Sequence, residues 1–346
     1  MSGLVIIASD LYFAAPAVHG IASESELPSL TRLARWGTRR ALPGDWRAWL
    51  AASLPRCGLA DWAPATIAAS SAGAALEANP AGSVWFAEPV HLTAGLRSLH
   101  LPHHGRIRPD APTQERLRAA FAAAFAPSGY ELVPLPAGRF VLAAPHAIGE
   151  VVTTDPARAL GASIADALPR GENVRALRSL GSEIEMWLHE HPLNIERARA
   201  RLPTISTLWL WGAGPPPPPA LASNQAFASE IPAPSTALIG DDPYVAGLAK
   251  LNSLSWRPLP SRFPEAIDRR SVIVAEVFAS AADREETPLE ALARFDREWL
   301  APALAAVARG DAPQLTLIAN DRSVSFAARH RLRFWRAPRK ALEALA

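Results

Sequence analysis

The sequence predicts an α/β protein: an open, doubly wound, mostly parallel sheet into which a smaller α+β domain is inserted. Three observations predict that class. Residues 4–8 read Leu-Val-Ile-Ile-Ala, the unbroken apolar pattern of a central strand buried on both faces, and Asp10 stands just past its end. Residues 207–211, Thr-Leu-Trp-Leu-Trp, form a second such run that empties into Gly212-Ala213-Gly214. Residues 88–169 differ in character from both flanks, with short alternating runs and turn signals around one helical stretch. The expected division is therefore a core domain from 1–87 and 170–346, and an inserted domain over 88–169.

Composition narrows the function classes. The chain has 346 residues, 49% of them hydrophobic, with eleven tryptophans, so a well-packed interior is expected. Thirty-five basic residues face 33 acidic ones, a net charge of +2 that leaves no electrostatic footprint for nucleic acid. Nearly all the basic residues are arginine, which reads as a compositional bias beside the richness in alanine and proline. Cys57 stands alone, so an internal disulfide and a multi-cysteine zinc site are excluded. The amino terminus lacks a basic segment ahead of its short apolar run, and no stretch approaches the roughly 18 apolar residues of a membrane span. A soluble, cytoplasmic protein without a membrane partner is expected.

Taken in order, residues 27–37 read as a helix with Pro28 in its first turn and Gly37 at its end. Residues 41–82 are helical and alanine-rich, and a buried strand is expected at 84–87. The insert should hold a helix at 113–125 and strands at 130–134 and 139–143. Its run Leu99-His100-Leu101-Pro102-His103-His104 carries either a transition-metal cluster or a solvated strand end, and no carboxylate or cysteine lies nearby in sequence. Val174, Leu177, Leu180, Ile184, Trp187 and Leu188 recur at helical spacing up to the stop at Pro192. Residues 215–219 are a stiff polyproline connector. A strand at 235–240 precedes Asp241-Asp242-Pro243, which is either a carboxylate pair for a divalent metal or a helix cap. A strand at 271–278, a long helix at 289–307 and a last core strand at 314–319 follow. Residues 329–339 alternate apolar and basic, as in an edge strand.

His191-Pro192-Leu193-Asn194-x-x-Arg197, then Leu202-Pro203, then Leu208-Trp209-Leu210-Trp211-Gly212-Ala213-Gly214 resembles a stretch of the archaeal-type cofactor-independent phosphoglycerate mutases. It is more similar still to a group of bacterial proteins known as the RpfE-type regulatory family. Pro145-His146 and Leu168-Pro169-x-Gly171 match the mutase pattern too, although the Asp usual after Pro-His is gone, and Ser29 stands where Asn is usual. The resemblance implies an alkaline-phosphatase-like core. It also implies two divalent cations, Mn or Mg, clamping the reacting oxygens around a serine or threonine nucleophile.

Against that expectation most of the machinery is missing. Ser70 and Ser71 are the nearest counterparts of the nucleophile, and they lack the adjacent Asp and preceding Gly of the family's turn. Asp10 occupies the place of the first metal ligand, with a cap or turn as its other reading. Asp321 occupies a later ligand's place but is followed by Arg322, not His. The Asp-x-x-Gly-His element has no counterpart, and acidic substitutes such as Asp283 or Glu286 could hold one hard cation but not reproduce a two-metal histidine site. Asp10 and Asp321 are therefore read as vestigial metal candidates, and no cofactor is expected. Asn194, Arg197, Trp211, Gly212 and Gly214 are the expected ligand-binding residues, for a phosphorylated or carboxylate small molecule. Asn194 could instead cap the segment after Pro192, and Arg197 could pair with a surface carboxylate. The leading expectation is a catalytically degenerate, phosphoglycerate-mutase-like protein kept as a binding or regulatory module. An active metal-dependent mutase or phosphatase with relocated ligands is the alternative, and a ligand-free scaffold is the second. The protein partner is left open.

Overall fold

The computed structural model describes residues 3–12, 26–56, 58–75, 81–95, 98–147, 149–218, 236–264, 271–278 and 286–333. Its centre is β1 (Leu4–Ala8), buried along its whole length. β1 lies between two later parallel strands, β12 (Val272–Ala275) and β13 (Leu315–Ala319). β12 is flanked in turn by β10 (Ala237–Gly240) and then β11 (Ser255–Arg257), both parallel. On the other side β13 turns back through Asn320 and Asp321, both in the left-handed region, into antiparallel β14 (Arg322–Phe326), which pairs with β2 (Thr38–Ala41). The result is a mixed α/β fold around a largely parallel seven-stranded sheet in the order β11-β10-β12-β1-β13-β14-β2.

A second sheet is antiparallel, in the order β6-β7-β3-β9: β3 is Ser83–Val90, β6 Glu131–Leu135, β7 Arg139–Ala144 and β9 Thr207–Gly214. The strands expected at 84–87 and 207–211 are present, but they pair with each other here, not in the parallel sheet. The reason is visible in β3. Val84, Phe86 and Val90 point into the core shared with the parallel sheet, while Trp85 and Ala87 point into a second core. That second core is completed by Phe121 and Phe125 of α4 (Ala111–Phe125) and by Leu177, Leu180, Ile184 and Leu188 of α5 (Val174–His189). Both faces of this sheet are covered, so its strands carry the apolar runs usually diagnostic of parallel ones. A third, short sheet joins β4 (Thr93–Ala94), β5 (Leu99–Leu101) and β8 (Ala162–Ser163).

The helices follow their end signals. Asp45 caps α2 (Trp46–Ala52) and Asp242 caps α7 (Pro243–Leu251), each accepting from a backbone N–H of the first turn. α6 (Pro192–Arg199) starts at the expected stop, with the His191 ring accepting from Leu193 N–H. The helix expected at 289–307 is α8 (Pro288–Phe295), a π turn over Asp296–Leu300, and α9 (Ala301–Arg309). Asp296 on that turn accepts from the N–H groups of Ser29 and Leu30, capping α1 (Pro28–Trp36), whose own N-cap residue Leu27 has no side chain able to do so. The last strand of the parallel sheet's layer is β14, not β13. The tail expected as an edge strand begins instead as a tight 3-10 turn over Ala328–Leu332, and residues 334–339 lie outside the described residues, as do Cys57 and Asp283. Among the described residues no helix is long and apolar enough to cross a membrane.

The two sheets are locked together partly through α3 (Pro64–Ala69), which packs on α7, β3 and β9. Gly247 in α7 makes that approach possible: a Cβ there would sit 2.0 Å from the Ile67 carbonyl oxygen. Gly247→Ala should therefore lower unfolding stability by about 2–3 kcal/mol, read as a lower urea midpoint with unchanged slope.

Candidate functional site

In open α/β sheets ligands sit at the carboxyl ends of the strands. Here adjacent parallel strands each deliver a carboxylate to that edge: Asp242 after β10, Glu276 after β12, Asp10 after β1 and Asp321 after β13. The second sheet faces them with a further carboxylate, Glu88 of β3, which lies on the same face as Val84 and Phe86 and is completely buried.

Arginines meet these acids from four separate segments. Arg106 donates to Glu88 through Nε and Nη2 at 3.1 and 2.9 Å and reaches Glu276 at 2.9 Å. Arg108 joins the same two acids, at 3.2 Å from Glu88 and 3.1 Å from Glu276. Arg139, the first residue of β7 and 1% exposed, donates to Glu276 and lies 3.4 Å from Asp242. Arg47 of α2 bridges Asp155 at 2.6 Å and Asp242 at 3.3 Å, with its guanidinium over the rings of Trp46 and Trp211. At the rim, Arg158 pairs with Asp321 at 2.8 Å and covers the ring of Tyr12.

The electrostatics follow from this arrangement. Burial would raise the Glu88 carboxyl, but Arg106, Arg139 and Arg108 outweigh it and hold it well below the usual carboxylate range. Glu276 is held down by the same arginines against the same burial. Asp10 behaves oppositely. Burial, then the negative charge of Glu276, push it up to about 6, against the pull of Arg106 and two backbone hydrogen bonds.

Each expected site residue can now be placed. Asp10 accepts from Val277 N–H at 2.6 Å and Phe278 N–H at 2.9 Å, so its carboxylate braces the turn leaving β12. Asp321 is held by Arg158. Ser70 and Ser71 donate to the carbonyls of Ile67 and Ala68, both at 2.6 Å, three residues back in their own helical turn. Both hydroxyls are thus engaged by their own turn. The Asn194 side chain is fully engaged by backbone, donating to Leu188 and Ile205 carbonyls and accepting from Ile205 N–H. Arg197 Nε donates to the Pro203 carbonyl at 2.7 Å, in place of the surface carboxylate partner the sequence suggested. Trp211 stacks on Phe86 and donates to Glu88 at 3.0 Å. Gly212, at φ 66, donates to the Thr153 hydroxyl, and Gly214 packs so tightly on α3 that a Cβ would lie 2.4 Å from that of Ala63. Trp211 thus belongs to the charge network, while Asn194 and Arg197 fix the segment that leads into β9. Asp241 and Asp242 separate, the first accepting from Leu259 N–H and the second capping α7. In the histidine run, His100 contacts Ser98 and His103 packs against Phe278.

The donor set does not suit divalent metal. Hard cations need several free oxygens. Each of the carboxylates at the strand ends already holds guanidinium or backbone N–H. Among the described residues, the buried atoms of the network left without a hydrogen-bond partner are nitrogen donors, Nε of Arg47, Arg108 and Arg139 and Nη1 of Arg139, with the Tyr12 hydroxyl at its edge. No group of three or more His, Cys, Asp or Glu able to hold a metal ion occurs among the described residues. Sequence reasoning missed Glu88, Glu276 and every arginine partner. Glu276 directly follows an apolar strand, the signal that singled out Asp10, and Glu88 interrupts the apolar alternation of β3. The arginines gave no comparable signal, and the excess read as compositional bias turns out to include three buried members of this network, Arg47, Arg106 and Arg139, and the partly buried Arg108.

Fold and site together define an α/β protein whose strand-end carboxylates are met by arginine side chains and backbone N–H groups. Over 63 residues the chain is 37% identical to the 2,3-bisphosphoglycerate-independent phosphoglycerate mutase of Methanothrix thermoacetophila, a match covering 18% of this chain and only 16% of that protein. Similar solved structures are the cofactor-independent phosphoglycerate mutase of Thermoplasma acidophilum (15% identity, TM-score 0.36, covering 94% of this chain and 90% of that one) and the PH0037 protein of Pyrococcus horikoshii (14%, TM-score 0.43, 94% and 86%). No family model matches the chain.

Two outcomes test the site. Asp10→Ala orphans two buried N–H groups and should cost about 2–4 kcal/mol, whereas Ser71→Ala should cost under about 1, both read by urea unfolding. Because the folded pKa of Asp10 lies above its unfolded value near 3.8, the folded state binds the extra proton. Its contribution is complete below pH 4 and is lost as pH rises through about 6, on the order of 3 kcal/mol in all. Glu88 and Glu276 act with the opposite sign, above pH 4.5, so the stability difference between wild type and Asp10→Asn isolates the effect. That difference should fall steadily from pH 4 to pH 7.

Proposed function

We propose that the chain is a catalytically degenerate relative of the cofactor-independent phosphoglycerate mutases, acting by binding and not by phosphoryl transfer. One observation carries the reading. Of the acids that close the parallel strands, where that chemistry would need cations, Asp242, Glu276 and Asp321 are paired with arginine side chains and Asp10 holds two backbone N–H groups, and the buried polar atoms of the network left over are chiefly donors. Two-metal catalysis needs the reverse, free oxygens around two cations and a hydroxyl poised between them. Ser70 and Ser71, bonded to their own turn, supply no such hydroxyl. A regulatory role belongs to this proposal through the RpfE-type resemblance of residues 191–214, and a phosphorylated or carboxylate small molecule through the capacity of arginine to grip such a group with two parallel hydrogen bonds.

The test is metal content together with turnover. After purification with manganese present, the protein should hold well under one metal per chain and should not interconvert 2- and 3-phosphoglycerate. Stoichiometric manganese, with turnover abolished by chelation and restored by manganese, would overturn the proposal in favour of an active mutase.

A further inference from the structure

Away from the charge network a half-open cleft of about 380 Å³ lies between α5 and β9. Its apolar wall includes Leu168, Leu177, Leu208 and Leu210, and Gly181 and Glu185 of α5 complete it. Leu168 is 43% exposed, so apolar surface is presented to solvent inside a concavity.

Two features make this a built cavity and not a packing defect. The first is Gly181. Glycine inside a helix is disfavoured relative to alanine, and packing usually explains its presence. Gly247 illustrates that case, but at Gly181 no atom lies within 4 Å of a Cβ position. No neighbour demands the glycine, and its one structural consequence is a bare patch on the helix face that lines the cleft. The second is Glu185, one turn further along the same face. Glu185 opens to solvent at the cleft; partial burial raises its carboxyl above the ordinary value against a hydrogen bond from Thr207, and among the described residues no Arg, Lys or His forms an ion pair with it. Arg178, also on this face, donates instead to the Pro169 carbonyl at 3.0 Å. The cleft therefore offers an apolar wall and one carboxylate without a cationic partner.

We infer that this cleft binds small amphipathic amines, with an apolar body against the leucines over Gly181 and a protonated nitrogen on Glu185. The site is independent of the strand-end network and of whether any mutase activity exists. Isothermal titration calorimetry with phenethylamine and with 2-phenylethanol, its neutral counterpart, tests it. Wild type should bind the amine at least about tenfold more tightly than the alcohol. Gly181→Leu should abolish binding of both while keeping the helical circular-dichroism signal. Glu185→Gln, which leaves the fold's contacts in place, should bring the amine down to the affinity of the alcohol, and this variant decides the matter if Gly181→Leu fails to fold. Equal wild-type affinities, amine binding unchanged by Glu185→Gln or by a folded Gly181→Leu, or no heat at about 5 mM amine would each overturn the inference.

Discussion

The architecture depends on one constraint: Glu88 points into the interior. β3 alternates strictly, so the face that sends Val84, Phe86 and Val90 into the shared core must send Glu88 there as well. An isolated carboxylate in such a place would cost many kcal/mol, and the chain meets the demand with Arg106, Arg108 and Arg139. Those arginines carry more charge than Glu88 can match, which draws in Glu276 and Asp242 from the ends of two parallel strands. Arg47 then extends the chain of pairs to Asp155. The junction between the sheets is thus fixed by a requirement for neutrality as much as by packing.

Such a junction specifies more than it stabilises. Buried ion pairs often contribute less than well-packed apolar residues of equal volume, yet removal of one partner is severe because the other charge is left stranded. The planar guanidinium also fixes direction, since its donors leave in set angles. Parallel strands bring acids together at their ends whatever their use, and some positive charge must answer them. In metalloenzymes of this general plan a dissociable ion supplies it. In this chain covalently attached arginine side chains supply positive charge there.

The sequence made the elements legible and their partners less so. Continuous apolar runs located β1, β12 and β13, and the cap offered at Asp241-Asp242-Pro243 is the Asp242 side chain reaching a first-turn N–H. The same rule misassigned β3 and β9 to the parallel sheet, because a strand covered on both faces reads alike whichever way its neighbours run. Asp10 was visible as a carboxylate at a strand end, but its backbone partners lie 267 and 268 residues away and no local pattern encodes them. Asn194 and Arg197 drew attention as polar groups in an ordered motif. Their partners are backbone carbonyls and an N–H, which leave no trace in residue identity. The charge network was hidden for a related reason: its cations come from residues 47, 106, 108 and 139, which only the folded chain assembles.

The position of β1 has a consequence for how the molecule comes into being. Its hydrogen-bonding neighbours are β12 and β13, so this strand is sandwiched between two that are translated long after it. Loop closure over such a separation is slow, and a ribosome adds only about 5–20 residues per second. For most of synthesis Leu4–Ala8 is a short, apolar, β-forming segment with neither edge paired. The second sheet has no such wait, since its four strands are complete by residue 214. The antiparallel half can therefore assemble first and hold Glu88 with Arg106, Arg108 and Arg139 as a template, onto which β1, β12 and β13 later close.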